Sequence, residues 1–210
     1  MEVICFDMDN TLVRSTKLHL EAYKKAFAKR KLPKKSDKEI LEGFSIETSR
    51  AIKALYPKLT KKEIKAIEDD HDQFVIRNAK NYITSIRGAK GTLKAAKKKY
   101  KIAILSNCKH KEITATLKAA KIDSKMFDLI IGNDEVKKPK PAPDEIIKAE
   151  HLLHIKKGYM VGDSPYDVRA GKKAGLKTIA VCTGTHSRKE LVKEKPWKLV
   201  KNISEVKKLI

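Results

Sequence analysis

Five short runs of apolar and β-branched residues punctuate the chain, at positions 2–6, 101–105, 128–131, 158–161 and 177–181. Their hydrophobicity is continuous rather than alternating, which is the pattern of strands buried on both faces of a parallel sheet. Segments spaced for helices lie among the last four, at 89–99, 109–121, 144–154 and 165–174. Strand alternating with helix predicts an α/β fold whose parallel sheet carries helices on both faces, joined by right-handed crossovers. Tyr100, Trp197 and the tail 203–210 read as closure of the core by a last strand and helix.

Residues 15–86 break the alternation. Leu18, Ala22 and Phe27, then Ile40, Leu41 and Phe44, then Ile52 and Leu55, then Ile64, Ile67, Phe74 and Ile76 are spaced for amphipathic helices, punctuated by Pro33, Gly43 and Pro57. Thr60 followed by Glu63 is a capping-box start for the last of them. The expected organisation is therefore a catalytic core from 1–14 and 87–210, with a small all-helical domain inserted at 15–86 after the first strand.

At 210 residues the chain suits one domain with such an insertion, and 41% hydrophobic against 35% charged residues excludes disorder. No apolar run reaches the length of about 20 residues that a membrane helix needs, and the start lacks the pattern of a signal peptide. A cytoplasmic protein without a membrane partner is expected, as monomer or homodimer. Cys5, Cys108 and Cys182 are too few and scattered for a disulfide framework or a zinc site, and read as small apolar residues. The net charge of +22 predicts attraction to anions. Because it is mostly Lys dispersed along helices, with aromatics at 6%, it reads as a solvated surface rather than a nucleic-acid face.

The candidate chemistry sits at strand ends, where open parallel sheets bind ligands. Asp7 and Asp9 leave the first strand one residue apart, a pair able to serve as nucleophile and proton shuttle, to bind a metal, or to form a polar turn. Ser106 and Asn107 close the strand at 101–105, placed to bond phosphoryl oxygens or to cap a helix. In the segment 137–143, rich in Lys and Pro, one ammonium could be held toward a pocket. Asp163 and Asp167 follow the strand at 158–161 and, four apart, face the same side if a helix starts at once.

Taken together and in this order, Asp7-Met8-Asp9-Asn10-Thr11, the strand-terminal Ser106-Asn107, Lys140-Pro141-Ala142-Pro143-Asp144 and Gly162-Asp163-Ser164-Pro165-Tyr166-Asp167 resemble the four motifs of the haloacid dehalogenase superfamily. The helical insertion between the first two resembles the cap of its phosphoglycolate phosphatase and β-phosphoglucomutase branch. The resemblance implies a Rossmann-like core and a Mg²⁺-dependent phosphatase of small phosphate monoesters, phosphoglycolate-like esters leading. A phosphomutase or other phosphotransferase of sugar phosphates is the alternative, and a nucleic-acid end phosphatase or binder a third reading.

By the same resemblance Asp7 would be the nucleophile and Asp9 the general acid/base, a carboxylate that the dehalogenases lack because they have no alkoxide to protonate. Thr11, Ser106 and Asn107 would bind phosphate, and Lys140, preferred to Lys138, would offset charge. Asp7, the Asp9 backbone carbonyl, Asp163 and Asp167 would hold Mg²⁺, a hard cation suited to all-oxygen ligands. In the insertion, Arg50 after the 43–49 stretch and Arg14 near the hinge are candidate substrate contacts. No pair of histidines has metal-site spacing beside a Glu or Cys, and His151 and His154, three apart on a predicted helix, are expected at the surface or in packing.

Overall fold

In the computed structural model, which describes residues 2–210, the apolar runs become strands of one parallel sheet. Its strands are β1 (Glu2–Phe6), β4 (Tyr100–Ser106), β5 (Leu129–Gly132), β6 (Gly158–Gly162), β7 (Lys177–Val181) and β8 (Lys198–Val200), in the order β5-β4-β1-β6-β7-β8. β1 lies between β4 and β6, so the chain builds outward on one side and then crosses to build on the other. The ends of β1, β4 and β6 thus meet at the switch point, where a crevice opens above a parallel sheet.

Between β1 and β4 run β2 (Val13–Arg14), α1 (Thr16–Lys29), α2 (Asp37–Glu42), α3 (Thr48–Leu55), α4 (Lys61–Tyr82), β3 (Thr84–Ser85) and α5 (Ala89–Lys97). The remaining helices are α6 (His110–Ala119), α7 (Asp144–Leu153), α8 (Pro165–Lys173) and α9 (Arg188–Lys193). β2 and β3 pair antiparallel over two residues each, and this ribbon stands at both chain crossings into the helical segment. The capping box expected at α4 is formed, with the Thr60 side chain accepting from the Glu63 N–H and the Glu63 carboxylate accepting from the Thr60 N–H. The expected last helix is instead a 3₁₀ helix, Ile203–Lys208, packed on α5 through Ile203 and Val206.

Ile4, Phe6, Ile102, Ile104 and Val161 face one side of the sheet, and Val3, Cys5, Ala103, Leu105 and Met160 the other, the period-2 alternation of strands buried twice. α1 and α4 each serve two layers. Leu18, Ala22, Val75 and Ala79 join the sheet's core, while Tyr23, Phe27, Ile52, Tyr56 and Ile67 form a separate apolar cluster among α1–α4. Among the described residues no helix is long and apolar enough to cross a membrane.

Candidate active site

Asp7 is the first residue beyond β1, and its N–H donates to the Val161 carbonyl of β6 at 2.8 Å, which anchors it at the crevice. Lys140, from the loop entering α7, reaches it across 133 residues of sequence. Its ammonium donates to Asp7 Oδ1 at 2.8 Å, Asp167 Oδ1 at 2.7 Å and the Leu105 carbonyl at 2.8 Å. Those three acceptors use all its protons, so the chain holds Lys140 in one place. Burial lowers the affinity of this amine for its proton, but Asp167 and Asp7 more than compensate and hold it charged. For Asp7 burial wins over Lys140, and its carboxyl is pushed up to about 7.

Asp163 and Asp167 are divided in their tasks. Asp167 Oδ2 accepts from the Ser164 N–H at 3.0 Å and its hydroxyl at 2.5 Å, closing the cap of α8, while Oδ1 holds Lys140. Asp163 has its Oδ1 bonded by the Thr11 hydroxyl at 3.3 Å, whereas its buried Oδ2 has no partner. One oxygen from each of Asp7, Asp163 and Asp167 lies within 4.8 Å of the others. Three buried carboxylates against one ammonium leave net negative charge, and burial, with Asp7 and Asp167 beside it, raises Asp163 well above the usual carboxylate range. An orphaned carboxylate oxygen in an all-oxygen, negatively charged niche suits a hard divalent cation such as Mg²⁺. Glycines keep the niche open. A Cβ on Gly184 would stand 1.6 Å from Asp163 Oδ2, and one on Gly162 would stand 2.3 Å from the Asp167 carboxyl.

Asp9 turns away from this niche. Its Oδ2 accepts from the Cys108 thiol at 3.2 Å, and its Oδ1 lies 3.4 Å from His19 Nε2. Burial pushes the Asp9 carboxyl up, but His19, Ser15 and Cys108 overcome it and hold the group below the ordinary range. A cavity of about 50 Å³ is lined by Asp7 and Asp9 and also by Tyr23, Phe44, Ile46 and Thr48 from the helical segment. Asn107 Nδ2 closes it from below, donating to the Ser45 carbonyl at 2.8 Å and the Lys140 carbonyl at 3.0 Å.

The structure thus brings Asp7, Asp9, Ser106, Asn107, Lys140, Asp163 and Asp167 to one cavity. It does not bring Thr11, which is wholly buried behind the carboxylates and bonded to Asp163 rather than open to a phosphate. Arg50 is exposed, lies 3.3 Å from Glu47 three residues before it, and does not line the cavity. Arg14 is an exposed residue of β2 and lies outside the cavity. Cys108, read from sequence as a small apolar residue, and His19, given no role by the sequence, both touch Asp9. A histidine inside the apolar stripe of Leu18 and Ala22 was the available signal, since burial of that ring demands a polar partner.

Glu145 was also missed. It is fully buried beside Lys140, and neither carboxyl oxygen has a hydrogen-bond partner. Burial, only partly offset by Lys140, pushes it up to about 7. A carboxyl raised in the folded state stabilises below its unfolded value of 4.5, and that contribution is lost as pH rises through about 7. Glu145→Gln should therefore raise the denaturation midpoint at pH 8 and leave it unchanged at pH 4. An equal effect at both would contradict the buried, unpaired carboxyl.

Comparison with known proteins shows the same fold. A pyrophosphatase PpaX of Bacillus thuringiensis (strain Al Hakam) is 24% identical over 209 residues, covering 98% of this chain and 94% of its own. Among solved structures, a hydrolase from Pseudomonas syringae superposes with a TM-score of 0.88 at 22% identity, covering 99% of this chain and 97% of that one. A predicted phosphoglycolate phosphatase from Haemophilus somnus 129pt gives 0.85 at 22% identity, covering 100% and 97%. The profile of the haloacid dehalogenase-like hydrolases matches residues 4–181, spanning all four motifs, and this chain belongs to that family.

Proposed function

We propose that the protein hydrolyses small phosphate monoesters by way of a phosphoryl group carried on Asp7. The observation that carries this reading is the Asp7–Lys140 contact at 2.8 Å in a cavity that also holds Asp9. Lys140 keeps the Asp7 oxygen facing the cavity and offsets charge on the phosphoryl oxygens. Ser106, at the end of β4, borders the same space and would orient those oxygens, while Asn107, with both amide protons on the Ser45 and Lys140 carbonyls, would brace the loops around it. Asp9, which lines the same cavity and whose carboxylate His19 and Cys108 favour, would pass to the departing alcohol a proton brought in with the phosphate monoanion and then take one from the attacking water. Thr11 acts one step back by fixing Asp163.

Asp163, the Asp7 carboxylate and the Asp9 backbone carbonyl would hold Mg²⁺, with Asp167 steering Lys140 because its own oxygens are already engaged. The ion supplies positive charge against the phosphoryl oxygens and the crowded carboxylates. Chelation should abolish phosphate release and added Mg²⁺ should restore it. Binding of Mg²⁺ by calorimetry should be lost in Asp163→Asn. Full turnover in the presence of chelator would overturn the metal's part.

The helical segment, taken as residues 15–86, is proposed as the cap that reads the leaving group. A cavity of about 50 Å³ has room for a few water-sized groups, which suits a phosphoryl group on a small alcohol. Phosphoglycolate-like esters lead the panel, followed by pyrophosphate, the substrate named for the Bacillus relative. Phosphate release from phosphoglycolate, pyrophosphate and glycerol phosphate ranks the three. Release from none of them, by folded protein with Mg²⁺, would contradict the proposed activity.

A further inference from the structure

A row of buried polar side chains that the proposed chemistry leaves unused runs from Asp9 into the junction of α1, α4 and α6. His19 Nε2 faces Asp9 Oδ1 at 3.4 Å, and His19 Nδ1 lies 3.2 Å from His71 Nε2. His71 Nδ1 lies 3.1 Å from Asp72 Oδ1 and 3.8 Å from Glu112 Oε1. Asp72 Oδ2 takes a hydrogen bond from Lys109 at 2.5 Å, and Lys109 reaches Glu68 at 3.3 Å. His71, Asp72 and Glu112 stand close enough to hold a cation, but the Lys109 ammonium already serves Asp72.

The hydrogen-bond inventory fixes the direction of this row. An ionised carboxylate only accepts, so the His71 proton is on Nδ1, toward Asp72. The Nε2 lone pair of His71 then faces His19, which must donate from Nδ1. Burial, outweighing Asp72, pushes His71 down to about 4, in keeping with a neutral ring. We propose that His71 is a positioning residue for Asp9. By accepting from His19 Nδ1 it fixes the ring whose other edge confronts Asp9 Oδ1, the buried oxygen that has no hydrogen bond of its own. Asp9 is thereby held toward the cavity in the orientation that serves the leaving group. His71 sits on α4 and Lys109 at the start of α6, so the row is complete only when the helical segment is docked on the sheet.

This inference rests on the reading of Asp9 as general acid, and leaving-group dependence tests it. Phenol leaves poorly without a proton and p-nitrophenol leaves without one, so kcat/KM on their phosphate esters separates help to the acid from general damage. His71→Phe keeps the ring's packing but cannot accept from His19. Its kcat/KM on phenyl phosphate should fall by about tenfold or more, and on p-nitrophenyl phosphate by no more than about threefold. His71→Gln, with an amide oxygen to accept and an amide nitrogen to donate, should recover most of the loss.

Equal losses on the two esters, or none on either, would overturn the proposal while leaving the phosphatase reading intact. No phosphate release from either ester by the wild-type protein would sink that reading, and this one with it. Should His71→Phe not fold, His71→Met takes its place in the comparison. Ring nitrogen shifts of the wild-type protein give an independent check, since the Nε2–H tautomer at His71 would contradict the row.

Discussion

Asp7→Asn should leave a folded protein whose phosphate release is at least about four orders of magnitude below wild type, as expected when a nucleophile is removed. The amide is nearly isosteric with the carboxylate and can keep an oxygen on the Lys140 ammonium, so the loss would be chemical rather than structural. Its effect on stability even has a favourable sign. Burial raises Asp7 to about 7, so around and above that pH the folded chain holds a charge that the unfolded chain carries more cheaply. Asparagine removes that burden, and the variant should be at least as stable as wild type at pH 8 and lose any advantage near pH 4. Activity assays and denaturant titrations on one preparation check both. Substantial turnover would mean that Asp7 does not carry the phosphoryl group.

Asp9→Asn is the second large effect, expected to lower kcat/KM on esters of basic alcohols by about 10²–10⁴-fold. The amide has no proton to give on the reaction's timescale, and it makes a poorer partner for His19. On p-nitrophenyl phosphate the same quantity should fall far less, because that leaving group departs as the anion. Breakdown of the phosphoryl intermediate still needs a base for water, so kcat should fall on both esters. A uniform loss in kcat/KM across leaving groups would place Asp9 in binding rather than in proton transfer.

The core was largely legible in the sequence because its strands are continuous apolar runs, whose lengths differ from those of the amphipathic helices around them. β2 and β3 were not, being two residues long and too short to carry a period. The tail's 3₁₀ helix was read as a regular helix since Ile203 and Val206 share a spacing with both. Within the site, Asp7, Asp9 and Asp163 announce themselves as acids directly after buried strands. Lys140 does not, for one lysine among so many has no local signature, and only the order of the four motifs singles it out.

What lay out of reach were residues whose roles depend on distant partners. His19 and His71 are 52 residues apart and meet only when α1 packs on α4. Glu145 looks like an ordinary first-turn acid of α7, where the helix dipole favours it, and nothing local tells that its side chain is buried. Thr11 follows the aspartates as a phosphate ligand would, yet the turn at Asn10, with its positive φ of 55°, carries it behind them. Arg50, in the first turn of α3, lies exposed beside Glu47, the residue that precedes the helix.

The central claim is that the phosphoryl group passes through Asp7, and trapping the intermediate tests it most directly. Wild-type protein mixed with Mg²⁺ and acetyl phosphate, quenched in acid and reduced with borohydride, would be digested and mapped by mass spectrometry. A reduced side chain at position 7 alone, lost without Mg²⁺ and in Asp7→Asn, is the predicted result. Steady phosphate release with no trapped residue, or a trap at Asp9 or Asp163 instead, would contradict it.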